Sequence, residues 1–294
     1  MPGTLSRRAL LAGCAAAAAA RSLPAAGARL TKARIAAITD EIGATQADAI
    51  AFAKQHALQW VELRNVPGSK QEFAFLINPE LKRYAAELVE NKLKVSLLKT
   101  SLLKFSWNDA AEKPRWDRRR EDLIRAITAA QILGTDKIRI FTGARVPDPR
   151  TAYPAIVETM RELIPLAENA RVRLLIENDA TQNIGTCAEL AAILNLLPSK
   201  TLGFNWDPWN ALTPGEAVWP DGYAKLPRAR MLNAQIKSEA LLPGGPINCR
   251  AMMEAMRRDG YQGEISIATE TFDGTFEKAD GSVRELMHIV GELA

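Results

Sequence analysis

The sequence predicts an α/β fold, a single (β/α)₈ TIM barrel, on three observations. Short β-like runs alternate with longer amphipathic ones, and the runs number eight. The segment that carries them is about the size of one such barrel. Acidic residues stand where apolar runs end. Such alternation gives a parallel sheet covered by helices, and eight runs favour closure over an open doubly wound sheet. No glycine-rich dinucleotide loop follows the first run, which argues further against the open sheet.

The 294-residue chain opens with Ser6-Arg7-Arg8-Ala9-Leu10-Leu11, an alanine-rich stretch, and Leu23-Pro24-Ala25-Ala26-Gly27-Ala28. Charged, apolar and small residues in that order read as an export signal, and the paired arginines resemble the twin-arginine class. The expected division is a signal peptide over residues 1–28 and the barrel over 29–294, with a periplasmic or secreted product. Leu11-Ala12-Gly13-Cys14 also fits a lipoprotein box. The apolar run between Arg8 and Cys14 is shorter than the ~7–15 residues a signal needs, so cleavage after Ala28 is preferred to a lipid anchor on Cys14. Pro24 and the weak hydrophobicity of alanine argue against a membrane span.

Cleavage leaves 266 residues, close to the ~250 of one barrel. It removes Arg7, Arg8 and Arg21 and no acid, so 38 basic residues become 35 against 34 acidic. No Lys/Arg stripe interleaved with aromatics remains, which excludes nucleic acid as a partner. Arg118-Arg119-Arg120 reads as a solvated helix face. Cys187 and Cys249 begin different predicted helices, too far apart in chain order to expect a disulfide. No Cys-His spacing suggests zinc.

The elements follow in order. Arg34–Ile38 is the first β-like run, with a helical pattern over Ala47–His56. Trp60–Leu63 precedes a helix over Pro79–Asn91, where Leu81, Ala85 and Leu88 share a face. Lys94–Leu98 leads to a helix over Arg115–Leu133, with Leu123 and Ile127 on one side. Lys137–Phe141 precedes Ala152–Asn169, and Arg173–Ile176 precedes Thr186–Leu197. After Thr201–Asn205 no good helix follows, because Ala211 to Tyr223 is broken by Pro214 and Pro220 and reads as a long functional loop. Met231–Ile236 precedes Cys249–Asp259, and Glu264–Ile267 precedes Ser282–Leu293. Gly134, Gly203 and Gly260 fall at helix-to-strand joins, where a left-handed cap suits glycine.

Glu177 ends the run Leu174-Leu175-Ile176, and Asp207 ends Gly203-Phe204-Asn205-Trp206. The carboxyl ends of parallel strands are where barrel enzymes keep their chemistry. In Met231–Ser238 a period of two puts Asn233, Gln235 and Lys237 on one face, and Ser266, Ala268 and Glu270 share a face on the last run. A buried polar face needs partners, since each unpaired group costs about 1–3 kcal/mol. Glu177, Asp207, Glu270 and the Gln235 carbonyl form an all-oxygen set, which suits Mn²⁺ or Mg²⁺, or Ca²⁺, over zinc or copper. The alternative is that Glu177 and Asp207 pair with Arg139 or Lys237 as buried salt bridges. Arg139, Lys99 and Lys104 equally suit a substrate oxygen. Trp206 and Trp209 either stack a sugar ring or fill core. His56 and His288 lie near the ends of outer helices, away from the barrel mouth.

Further stretches carry a resemblance: Thr39-Asp40-Glu41-Ile42, Val61-Glu62-Leu63-Arg64, Arg139-Ile140-Phe141 and Ile176-Glu177-Asn178 leading to Gly185-Thr186. To these are added Trp206-Asp207-Pro208-Trp209-Asn210, Pro220-Asp221-Gly222-Tyr223 and Gly260-Tyr261-Gln262-Gly263-Glu264-Ile265-Ser266-Ile267. In this order the chain resembles the xylose isomerase-like sugar phosphate isomerase/epimerase barrels over nearly its whole mature length. The resemblance implies one divalent metal held by Glu177, Asp207, a histidine on the seventh strand and a glutamate on the eighth. Here Gln235-Ile236-Lys237-Ser238 replaces His-x-Lys-Asp, and Ala268 replaces the glutamate. Glu270, two residues on, is expected to stand in, giving Glu177, Asp207, Gln235 and Glu270 as metal ligands.

The implied reaction removes a proton next to a sugar carbonyl, with Glu177 and Glu270 as acid/base pair and Lys237 on the developing oxyanion. Glu62, Arg64, Arg139, Asn178, Trp209 and Asn210 are the expected substrate-binding residues, and the substrate is a small carbohydrate or polyol. Two alternatives stand beside isomerase/epimerase: a carbohydrate-binding barrel that has lost its metal, and a keto-polyol dehydratase or lyase. A homo-oligomer is left open.

Overall fold

Strands of four to seven residues pair in chain order into one closed, all-parallel sheet. The computed structural model describes residues 30–270 and 276–293. The expected signal peptide, Cys14 and the cleavage point lie outside the described residues. The strands are β1 (Ile35–Ile38), β2 (Trp60–Leu63), β3 (Lys94–Lys99), β4 (Lys137–Ile140), β5 (Arg173–Glu177), β6 (Leu202–Trp206), β7 (Met231–Lys237) and β8 (Glu264–Ala268). Every predicted run is a strand, with ends displaced by no more than one residue. Closure comes from β8 pairing with β1, Ile35 opposite Ile265 and Ala37 opposite Ile267.

Helices over Gln46–Gln55, Asn78–Glu90, Arg119–Leu133, Tyr153–Ala170, Cys187–Leu196, Cys249–Arg258 and Glu277–Glu292 cover the sheet. Thr45 and Thr186 start two of them through reciprocal capping boxes with Asp48 and Glu189, which satisfy amide groups that would otherwise lack partners. The apolar core lies between sheet and helices. It takes alternate residues of each strand, such as Val61 and Leu63, Ile138 and Ile140, Leu174 and Ile176, or Ile265 and Ile267. Burial of each such side chain contributes about 1.5–3 kcal/mol.

The other face of each strand points into the barrel, and on most strands it is polar; β1, with Ala36 and Ile38, is the exception. Branched aliphatic layers are usual there. This interior instead holds buried Glu62, Lys99, Arg139, Glu177, Asn205, Asp207, Asn233 and Gln235.

Three expectations are corrected. The helix expected over Arg115–Leu133 is two, Lys113–Asp117 and Arg119–Leu133, because Arg118 between them has ψ near 1°. Gly134 and Gly260 adopt left-handed φ of 77° and 76°, but Gly203 does not cap a helix. It lies inside β6, where a Cβ would stand 2.7 Å from the Arg230 carbonyl oxygen and 2.7 Å from Leu232 Cδ1. Glycine is needed there for close strand approach, not for its φ.

The stretch Ala211–Tyr223 is irregular up to the short turn Val218–Gly222, as a loop would be, but it lines no part of the mouth cavity. Ala211 and Val218 are buried in the core, Trp219 packs on Tyr223 at 5.4 Å, and Glu216 accepts from the Cys187 and Ala188 amides at 2.6 and 3.2 Å. A carboxylate at that helix start is favoured by the helix dipole. Cys187 and Cys249 are free and buried, and burial raises the Cys249 thiol to about 12. Among the described residues no helix is long and apolar enough to cross a membrane.

Gly203→Ala is expected to destabilise the protein by about 1–3 kcal/mol, as overpacked cores do. Urea unfolding with an unchanged m-value and a lowered midpoint checks it; an unchanged midpoint refutes the close-approach role.

Candidate functional site

β3 carries Lys99 into the barrel at its carboxyl end. The buried ammonium donates to Gln235 Oε1 and lies 3.4 Å from Glu62 Oε2 and 3.6 Å from Glu177 Oε2. Asn233 Nδ2 donates to Glu62 Oε1 at 2.7 Å and to Asn205 Oδ1 at 2.8 Å. Asn205 Nδ2 in turn donates to Glu177 Oε2 at 2.6 Å. Side chains of β2, β3, β5, β6 and β7 thereby close a ring of polar contacts across the interior. Glu62 is part of this ring and, at 0% exposure, is not available as a substrate contact.

The two acids that end β5 and follow β6 have opposite electrostatics. Arg139 Nη1 lies 3.2 Å from both Glu177 oxygens, while its Nε and Nη2 donate to the Thr100 carbonyl. Burial alone raises the Glu177 carboxyl, but Arg139 and Lys99 outweigh it and hold it down at about 2. Glu177 is therefore a fixed anion, poorly suited to the acid/base role expected of it. Asp207 accepts from Gln235 Nε2 and from the Asn210 amide, both at 3.0 Å. Burial, opposed by Lys237 and reinforced by Glu177, brings it up to about 7.

A small cavity of about 110 Å³ opens at the mouth, lined by Arg64, Lys99, Arg139, Glu177, Lys237 and Glu270 among others. Lys237 Nζ is 2.5 Å from Glu270 Oε1, and the Glu270 side chain is 59% exposed. Burial lowers the Lys237 ammonium, yet Asp207 and Glu270 more than compensate and its pKa is raised. Arg64 is held by Asp40 at 2.9 Å and by Glu41 at 3.0 Å, and Glu41 also accepts from the Thr269 amide at 2.5 Å. This clamp joins the tops of β1, β2 and β8. A larger cavity, about 490 Å³, lies at the amino ends of the strands around Lys137 and Glu264. Its size does not make it the better candidate, since barrel chemistry sits at the opposite end.

Of the remaining expected substrate contacts, Asn210 lines the mouth cavity. Asn178 is fully buried and stitches two loops together, donating to the Asp207 carbonyl at 2.7 Å and accepting from the Asp207 amide at 2.8 Å. Trp209 packs against the core and Trp206 is buried against Tyr223 at 5.3 Å, so neither offers a face to a sugar in the cavity. Glu41 and Asn205 are contributors that sequence reading did not place in the site, while Asn233 was placed on the polar face of the seventh run but not among the site residues. A signal existed for Asn205 and Asn233, whose period-two positions match those of Asp207 and Gln235.

The four expected metal donors do not form a cage. Gln235 gives its oxygen to Lys99, and Glu177 is shared by Arg139, Lys99 and Asn205. Glu270 is outside, paired to Lys237, and Asp207 is held beneath Gln235 without lining the cavity. Among the described residues no group of three or more His, Cys, Asp or Glu is arranged to hold a metal ion. A divalent cation needs several oxygens free of competing cations, and this donor set does not fit one.

A family model described as xylose isomerase-like TIM barrel matches residues 50–290. Solved structures share the architecture at low identity. 3-Keto-D-glucoside 4-epimerase from E. coli is 14% identical with a TM-score of 0.69, over 87% of this chain and 98% of that one. The IolI protein with a bound zinc atom is 13% identical at 0.71, over 89% and 99%. A xylose isomerase-like TIM barrel protein from Mycobacterium smegmatis in complex with magnesium is 16% identical at 0.62, over 87% and 97%. No curated protein matches the chain.

The raised Asp207 pKa has a thermodynamic consequence. A folded-state value above the unfolded one gives stability that is present at low pH and is lost as pH rises from about 3.8 through about 7. In wild type this residue is expected to lower stability across that window, by at most about 1.4 kcal/mol per pH unit. Asp207→Asn is expected to flatten that part of the profile, so that melting temperatures diverge in favour of the variant as pH rises from about 3.8 to about 7 and keep a constant gap above it. Parallel profiles from pH 5 to 8 refute it.

Proposed function

The chain belongs to the xylose isomerase-like TIM barrel family, and from that premise we propose that it is an isomerase or epimerase of a small sugar or polyol. One observation carries the reading. An accessible carboxylate, Glu270, and a fixed ammonium, Lys237, stand 2.5 Å apart at the rim of a densely charged cavity, at the end of the barrel suited to catalysis. The cavity's dense polar lining suits a polyhydroxylated molecule rather than an apolar one.

In the proposed step Glu270 takes the proton from the carbon beside the carbonyl. Lys237, kept charged by Asp207 and Glu270, stabilises the negative charge that develops on oxygen. Return of the proton from Glu270 to the former carbonyl carbon, with the enediol hydroxyl releasing its proton as it becomes the new carbonyl, gives an isomer. Delivery of a proton from solvent water to the opposite face of the same carbon gives an epimer, Glu270 then releasing its own proton to solvent. Arg64 and Arg139 line the cavity and present positive charge toward substrate oxygens, each oriented by carboxylates. Glu177, held near a pKa of 2, orients Arg139 and Lys99 and moves no proton. Gln235, Glu177 and Glu270, three of the expected metal ligands, are paired with Lys99, Arg139 and Lys237, so the step runs on side chains alone. The reading includes export, with an unphosphorylated substrate met outside the cytoplasm.

A second reading, saturable sugar binding without turnover, is favoured by the deep pairing of Glu177. Deuterium wash-in at the α-carbon of a panel of ketoses and aldoses, followed by NMR, separates the two. Turnover is expected, and Glu270→Gln is expected to lower it by about 10²–10⁴-fold. Lys237→Met is expected to cost about 10²–10³-fold, the scale of losing one charge-stabilising donor. Binding without exchange by the parent sinks the enzymatic reading, and undiminished exchange by Glu270→Gln sinks the role of that residue.

A further inference from the structure

We infer that Lys99 is the barrel's own built-in cation, an ammonium tethered to β3 that takes the place a divalent metal would hold among the oxygens of β2, β5 and β7. Three observations converge on it. Its Nζ is directed at Gln235 Oε1, Glu62 Oε2 and Glu177 Oε2, so two residues of the expected metal set, Gln235 and Glu177, face an ammonium. Lys99 is 1% exposed, and an ammonium so deeply buried persists only where anionic and carbonyl oxygens surround it. Gln235 also donates to Asp207 at 3.0 Å, so the amide is orientated with its oxygen toward Lys99 from both sides.

Charge balance points the same way. Glu62, Glu177 and Asp207 face Lys99, Arg139 and Lys237 within the same interior. A divalent ion placed among them would meet cations already spread over the available anions. Arg139 further covers the Glu177 oxygens from the β4 side. At Ala268, where the family resemblance implies a fourth ligand, β8 offers no carboxylate to a divalent ion.

A lysine differs from a metal in a useful respect: it cannot be lost to chelators or exchanged in a compartment where metal supply varies. The assignment concerns cation occupancy and stands whether or not the proposed reaction is correct. Only the electrostatic support it gives to a substrate oxygen rests on that reading.

The test is metal binding, not activity. The purified protein is analysed for metal by mass spectrometry, then titrated with Mn²⁺ and followed by electron paramagnetic resonance, alongside Lys99→Ala and the double variant Lys99→Ala/Glu177→Gln. The parent is expected to carry no stoichiometric divalent metal and to retain no Mn²⁺ after desalting. Lys99→Ala frees the Glu62, Glu177 and Gln235 oxygens, and Mn²⁺ is expected to bind it at least about tenfold more tightly than the parent, a gain the double variant loses. Stoichiometric Mn²⁺ or Mg²⁺ in the parent overturns the inference, as does a folded Lys99→Ala whose Mn²⁺ affinity equals the parent's. If circular dichroism shows Lys99→Ala unfolded, the parent's metal content and titration alone decide.

Discussion

One buried ammonium organises the inside of this barrel. Lys99 reaches oxygens on β2, β5 and β7, and the Asn233–Asn205 bridge joins two of those partners again on the far side. Removing one member of such a network leaves a buried charge without its counterpart, which typically costs 3–5 kcal/mol. Replacing the whole set with well-packed apolar residues is often neutral. The ring is therefore not needed to make a barrel stable. It is evidence that this interior has been kept polar, with each side chain oriented by the next.

The same ring sets the chemistry available at the mouth. Two carboxyl groups from neighbouring strand ends, alike in sequence setting, are driven apart: Arg139 and Lys99 fix Glu177 as an anion near 2, while burial lifts Asp207 to about 7. The difference lies in which cation each faces and how closely. Asp207 sees Lys237 without a direct hydrogen bond, because Lys237 turns to Glu270. Glu270, the partner of that ammonium at the rim, lies just beyond β8 in a backbone conformation with φ of 52°.

The family architecture survives at 13% to 16% identity to the solved structures because the outward face of each strand asks only for apolar bulk of suitable size. The inward face is under no such rule, and there this chain departs from the pattern it resembles, at Gln235 and Ala268. A shared barrel thus carries little information about the reaction, which depends on the inward residues alone.

The alternation of short apolar runs with amphipathic stretches determined the barrel by itself, since each pattern admits one buried face and eight such units close. Period two likewise placed Asn233, Gln235 and Lys237 on a common side. Glu270 was legible as lying on the Ala268 side, but its exposure and its pairing with Lys237 were not. Nor could sequence spacing show that Asn178 serves the loops, that Trp209 faces the core, or that Gly203 avoids a neighbouring carbonyl. Those outcomes depend on contacts between strands far apart in the chain, such as Glu62 with Asn233 across 171 positions. Whether a carboxylate inside the barrel meets a metal, an ammonium or water is decided by which side chains reach the axis at the same height, and only closure of the barrel sets that height.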